Sequence, residues 1–166
     1  MHQRIDSLLL LIHQGWGPQA WHGTALKGAV RGIPITDALW RPAPGRHNIW
    51  ELVLHMAYWK YAVTRRLDGA PQGSFPRKGS NWLTVDDPSE RAWKSDIALL
   101  HEQHARLVEA VETFPAERLD LREKRKWSYA EEIAGIAAHD LYHTGQLQLI
   151  KKLARSRGRI AAKSKA

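Results

Sequence analysis

The sequence predicts an all-α protein: a four-helix bundle with a long crossover between its second and third helices, plus a short N-terminal helix. Three observations carry this. Apolar residues recur at helical spacing in four to five stretches, and no stretch alternates as a strand does. Three of those stretches open on capping-box patterns. The segments between them hold the proline and glycine that stop helices.

Each element follows in order. From Arg4 to His13, Ile5, Leu8, Leu9 and Ile12 form one stripe before the breaker Gly15-Trp16-Gly17-Pro18. A second stretch is expected from about Pro18 to Val30, ending near Gly32 and Pro34. After the loop Arg41-Pro42-Ala43-Pro44-Gly45, Asn48 is placed as an N-cap with Glu51 closing its capping box, and that helix runs to about Leu67 and stops at Gly69. Asp87-Pro88-Ser89-Glu90 predicts the next start, with Asp87 as cap and proline at the first position. Its stripe is Trp93, Ile97, Leu100, Leu107, Val111 and Phe114, with His104 in one slot. The last helix is expected to begin at Ser128, capped with Glu131, and to fray at Arg155-Ser156-Arg157-Gly158. The Gly69–Asp87 connection is long for neighbouring antiparallel helices, suits a crossover between parallel ones, and is long enough to cover a site mouth.

Composition narrows the function. The chain has 166 residues and fits one domain, here 1–152, followed by a basic tail, 153–166, expected to be disordered. Seven cations from Lys151 onward, with no acid among them, account for nearly all of the net charge of +8. The body is therefore close to neutral, and specific nucleic-acid binding is not expected. No apolar run approaches the ~20 residues of a membrane helix, and the start lacks a signal-peptide pattern. With no cysteine, thiolate ligands, disulfides and a cysteine nucleophile are excluded. The expected setting is cytoplasmic, and any thiol taking part arrives as a small molecule.

The informative residues are histidines. His139 and His143 stand four apart in one helical stripe, so both imidazoles share a face, about one turn apart. Paired helical histidines of this kind grip divalent metals. His55 lies on the inner face of its own helix and is the third candidate ligand. Imidazoles in apolar stripes are costly unless compensated, and a shared metal ion would compensate all three together. Buried structural histidines are the competing reading.

His-Asp-x-x-His also looks like a shortened His-Glu-x-x-His protease motif. The acid is one methylene shorter and the downstream ligand is missing, so Asp140 is read as a packing residue or one that supports the ligands. Glu51, one turn before His55, is a candidate to orient that ring besides capping its helix. Gln146 and His104 are further candidates to support or line the site. His101 points to an edge, while His22 and His47 read as loop or cap residues. Of the eight tryptophans, Trp59 and Trp93 are assigned to the core, and Trp50 and Trp82 to a pocket wall.

The stretch Pro42-Ala43-Pro44-Gly45-Arg46-His47-Asn48-Ile49-Trp50-Glu51-Leu52-Val53-Leu54-His55, with His139-Asp140-Leu141-Tyr142-His143-Thr144-Gly145-Gln146, resembles the DinB/YfiT-like bundle proteins over roughly residues 4–152. That resemblance implies helices ordered up-down-down-up and a metal centre of His55, His139 and His143. It also implies chemistry on small thiols, since characterised relatives include thiol transferases and a thiol-dependent isomerase. The expected function is thus a metal-dependent S-transferase or hydrolase, with zinc or nickel as the leading ions among those that suit three imidazoles. A homodimer is expected. The alternative is a non-catalytic interaction module whose metal is structural or incidental.

Overall fold

The computed structural model describes residues 2–163 apart from 19, 72 and 74, with backbone only for 158–163. Four long helices form the bundle: α1 (Gln3–Trp16), α4 (Ile49–Leu67), α5 (Glu90–Glu112) and α6 (Tyr129–Lys163). Two single-turn helices, α2 (Leu26–Ala29) and α3 (Ile35–Ala38), lie between α1 and α4. Strands are absent among the described residues.

The packing makes a ring in which α4 touches α5 and α6, and α1 touches both of those as well. Trp50 donates to Asp96 near the start of α4 and α5, while Thr64 and Asp68 share a cleft with Arg106 and Thr113 near their ends, so these two helices run parallel. Arg66, late in α4, pairs with Glu132, early in α6, so that pair is antiparallel. Ile5 packs in the cluster that holds Tyr129 and Ile133, and Gly15 lies beside Ala137 and Asp140, so α1 follows α6.

Helix starts obey local chemistry. Asn48 accepts from the Glu51 N–H at 2.8 Å, and Glu51 accepts from the Asn48 N–H, completing the expected box. Ser128 and Glu131 make the same exchange before α6. At the end of α4, Gly69 takes a left-handed φ of 64°, which costs glycine little.

Three expectations are corrected. The Pro18–Val30 stretch contains only the one-turn α2, because Gly23 at φ 115° interrupts it; α1 fills the fourth place in the bundle instead of being an addition to it. The cap of α5 is Ser89, which accepts from the Ala92 N–H, while Asp87 accepts from the Ser89 N–H and hydroxyl. And α6 continues past Arg155–Gly158 to Lys163. Its basic segment is docked: Lys151 donates to the Ala29 carbonyl at 2.7 Å, and Arg157 reaches Asp37 and lies over Trp40. Lys165, and the side chains of Arg159 and Lys163, lie outside the described residues.

The interior has two apolar clusters. One gathers Trp50, Leu52, Trp93, Leu100 and Leu147; the other gathers Ile5, Ile12, Leu107, Val111 and Ile133. Between them every long helix but α1 contributes buried polar groups: Lys60 from α4, Gln103 and His104 from α5, Asp140 and Thr144 from α6. The candidate site lies at the level of this polar layer.

Candidate metal centre

His55 on α4 meets His139 and His143 on α6. The His55 and His139 Nε2 atoms are 3.0 Å apart, and one ring nitrogen from each of the three histidines falls within 4.8 Å of the others. Tetrahedral ligands at the usual zinc–nitrogen length would lie ~3.3 Å from one another, so the cluster needs only small adjustments to close on an ion. His55 and His143 are buried and His139 is half-buried.

Neighbours set the ring tautomers. His55 Nδ1 donates to the Asn81 carbonyl at 2.9 Å, and His143 Nδ1 donates to Gln146 Oε1 at 2.7 Å. Both rings are thereby left with a free Nε2 lone pair, the arrangement metal-binding imidazoles require. His139 Nδ1 is buried without a partner. Burial pushes His55 down to about 4 and His139 to about 3, and lowers His143 too, so it favours the neutral, ligating form of all three rings. The unpartnered, buried His139 Nδ1 can carry that ring's proton, which frees its Nε2 to face the His55 lone pair across a cation, so the donor set fits a divalent ion.

The crossover segment is fixed over this group. Asn81, at φ 59°, accepts from Trp59 Nε1 through its side chain while its carbonyl holds His55. Trp82 is sandwiched between His55 and His47, with ring centroids 3.7 and 3.6 Å away.

Behind the ligands, Asp140 forms an ion pair with Lys60, both wholly inside the bundle. Burial raises the Asp140 carboxyl above the usual carboxylate range, and Lys60 opposes that shift. Asp140 therefore belongs to the polar layer, with Lys60 as its partner. His104 stacks on Trp16 at 3.9 Å, is driven to about 2 by burial, and does not join the three ligand candidates. Glu51 does not hold His55: its carboxylate bonds Arg41, His47 and the Asn48 N–H, and lies below the usual range, since these bonds outweigh its burial. The Asn81 carbonyl takes the role considered for Glu51. His22 bonds the Gln14 carbonyl, and His101 packs edge-on to Trp16.

Trp82 and Trp93 stand where expected. Trp50 is not a pocket wall: it is fully buried with its N–H on Asp96, and half-exposed Trp59 takes the wall position beside His139 instead. Sequence reasoning missed Lys60 and Asn81. Lys60 had a readable signal, a lysine five residues after His55 on an inner helical face; Asn81 acts through its backbone and gave none.

A helical bundle with convergent histidines on two antiparallel helices defines a recognisable class of protein. A family model described as the DinB superfamily matches residues 20–147, well over half of the chain, and the protein belongs to that superfamily. No curated protein and no solved structure matches the chain.

Proposed function

We propose that the protein is a metal-dependent enzyme acting on a small thiol, as an S-transferase or hydrolase, with His55, His139 and His143 as ligands to zinc or nickel. The observation that carries this reading is the convergence of three neutral imidazoles whose outer nitrogens are hydrogen-bonded or buried, beside open cavities. A divalent ion held there supplies Lewis acidity that keeps a small thiol deprotonated, or acidifies water, near neutral pH. The chain positions that chemistry. Asn81 and Gln146 fix ring orientation, and Trp59 and Trp82 shield the centre from solvent.

The test joins metal content to turnover. Protein purified without a histidine tag should carry one metal per chain by mass spectrometry, and His139→Ala should lose it together with thiol conjugation. Full metal occupancy without turnover across thiol and ester panels would favour the interaction module instead.

A homodimer is part of the same reading. Leu10 and Leu11 on α1, and Leu141 on the part of α6 beside Gly15, are exposed apolar residues on two neighbouring helices. Sedimentation showing a monomer at high concentration would refute the dimer.

A further inference from the structure

Two cavities flank the candidate centre, and their charges differ. His139 opens on one of about 550 Å³ whose cation, Arg66, is already paired with Glu132 in the same wall. His143 and Gln146 open on the other, of about 640 Å³, walled by Leu52, Leu149, Ile150 and Leu153. Among the described residues no carboxylate lines this second cavity, and Arg46 stands in its wall.

Arg46 is exposed, and its guanidinium has no ion-pair or hydrogen-bond partner among the described residues. Its backbone, by contrast, is firmly held. The Arg46 N–H donates to the Ala43 carbonyl at 3.2 Å, and its own carbonyl accepts from Arg41 at 2.6 Å. Arg41 is in turn fixed by Glu51 at the start of α4. An anchored turn thus presents an uncommitted cation to a largely apolar cavity whose other polar groups are engaged: His47 with Glu51, Tyr142 with Gln146, and Gln146 in turn with His143.

We propose that this second cavity takes an anionic amphiphile: a small molecule with a metal-seeking head at His143, an apolar body along Leu149, Ile150 and Leu153, and a carboxylate on Arg46. This deepens the proposed function and rests on it for the identity of the head group. The apolar stretch of Leu149, Ile150 and Leu153 favours a ligand with an apolar body. Arg46 favours an anion because no carboxylate of the cavity wall neutralises it among the described residues. The paired Arg66 gives the first cavity no such preference.

The experiment uses the full-length chain loaded with cobalt, whose visible spectrum changes when sulfur ligates. Straight-chain ω-mercapto acids of increasing length are titrated beside the matching ω-mercapto alcohols. At the best length the acid should bind about two- to fivefold more tightly than the alcohol, the scale of an ion pair at an exposed guanidinium. Arg46→Gln should abolish that preference while leaving the cobalt spectrum and the alcohol affinity unchanged. Equal affinities, or a preference that survives Arg46→Gln, would overturn the proposal. A second arm uses the metal-free protein with sulfur-free alkyl carboxylates, followed by calorimetry: weaker binding to Arg46→Gln than to wild type supports the assignment, and equal or absent binding overturns it. If no thiol alters the cobalt spectrum while the carboxylate arm succeeds, the thiol reading fails and the Arg46 site stands.

Discussion

Replacing Lys60 with methionine keeps an unbranched side chain of similar length and deletes its charge, leaving Asp140 inside the bundle without its counter-ion. Lys60 is 0% and Asp140 1% exposed, so the stranded carboxylate cannot turn to water. Removing one partner of a buried pair costs about 3–5 kcal/mol, against ~0–1 kcal/mol for an exposed pair. For a domain of this size each kcal/mol moves the melting temperature by about 2–4 °C, so a fall on the order of 6–20 °C is expected. The double variant Lys60→Met with Asp140→Leu removes both charges and should recover most of that loss, because the desolvation cost disappears along with the attraction. Urea unfolding of the metal-free wild type, both single variants and the double variant at neutral pH gives the coupling energy directly. A loss below about 1 kcal/mol for Lys60→Met, or a double variant no more stable than the single ones, would show that the pair is not buried as described.

Three further predictions rest on other parts of the molecule. His104 is held at about 2 when folded and titrates near 6.5 when unfolded; its contribution is full above pH 6.5 and is lost as pH falls from there. His104→Leu should therefore flatten the acid side of the stability profile, and an unchanged slope in denaturation at successive pH values would contradict this. Asn48→Ala removes the acceptor for the Glu51 N–H and should cost ~1 kcal/mol in urea unfolding; unchanged stability would contradict the cap. Gln146→Leu removes the acceptor from His143 Nδ1 and should weaken zinc affinity about 10–100-fold in calorimetric titration; unaltered affinity would mean that Gln146 does not orient the ring.

Much of this molecule was legible in its sequence where local chemistry decides the outcome. The Asn48–Glu51 and Ser128–Glu131 boxes are short-range patterns, and both helices begin where those patterns place them. The inner faces of α4 and α6 could be read from stripe spacing, which brought His55, His139 and His143 to the fore. What escaped depended on partners distant in sequence. α6 persists through Gly158 although the glycine disfavours it; earlier in the same segment Lys151 and Arg157 bond to chain more than a hundred residues away. Glu51 was a reasonable support for His55 by spacing, yet Arg41 and His47 captured its carboxylate and a backbone carbonyl from the crossover took its place. Trp50 could not be told from a wall residue until its N–H was seen on Asp96.

The polar layer between the two apolar clusters also governs alignment. Sliding α6 by one turn would bring Ile136 or Thr144 opposite Lys60, so the ammonium finds its carboxylate in one setting of the two helices alone. That setting is the same one in which His139 meets His55. An apolar seam would tolerate neighbouring settings at little cost, whereas this one behaves like a keyed joint: substitutions that let the helix slip would scatter the imidazoles while the bundle itself survived.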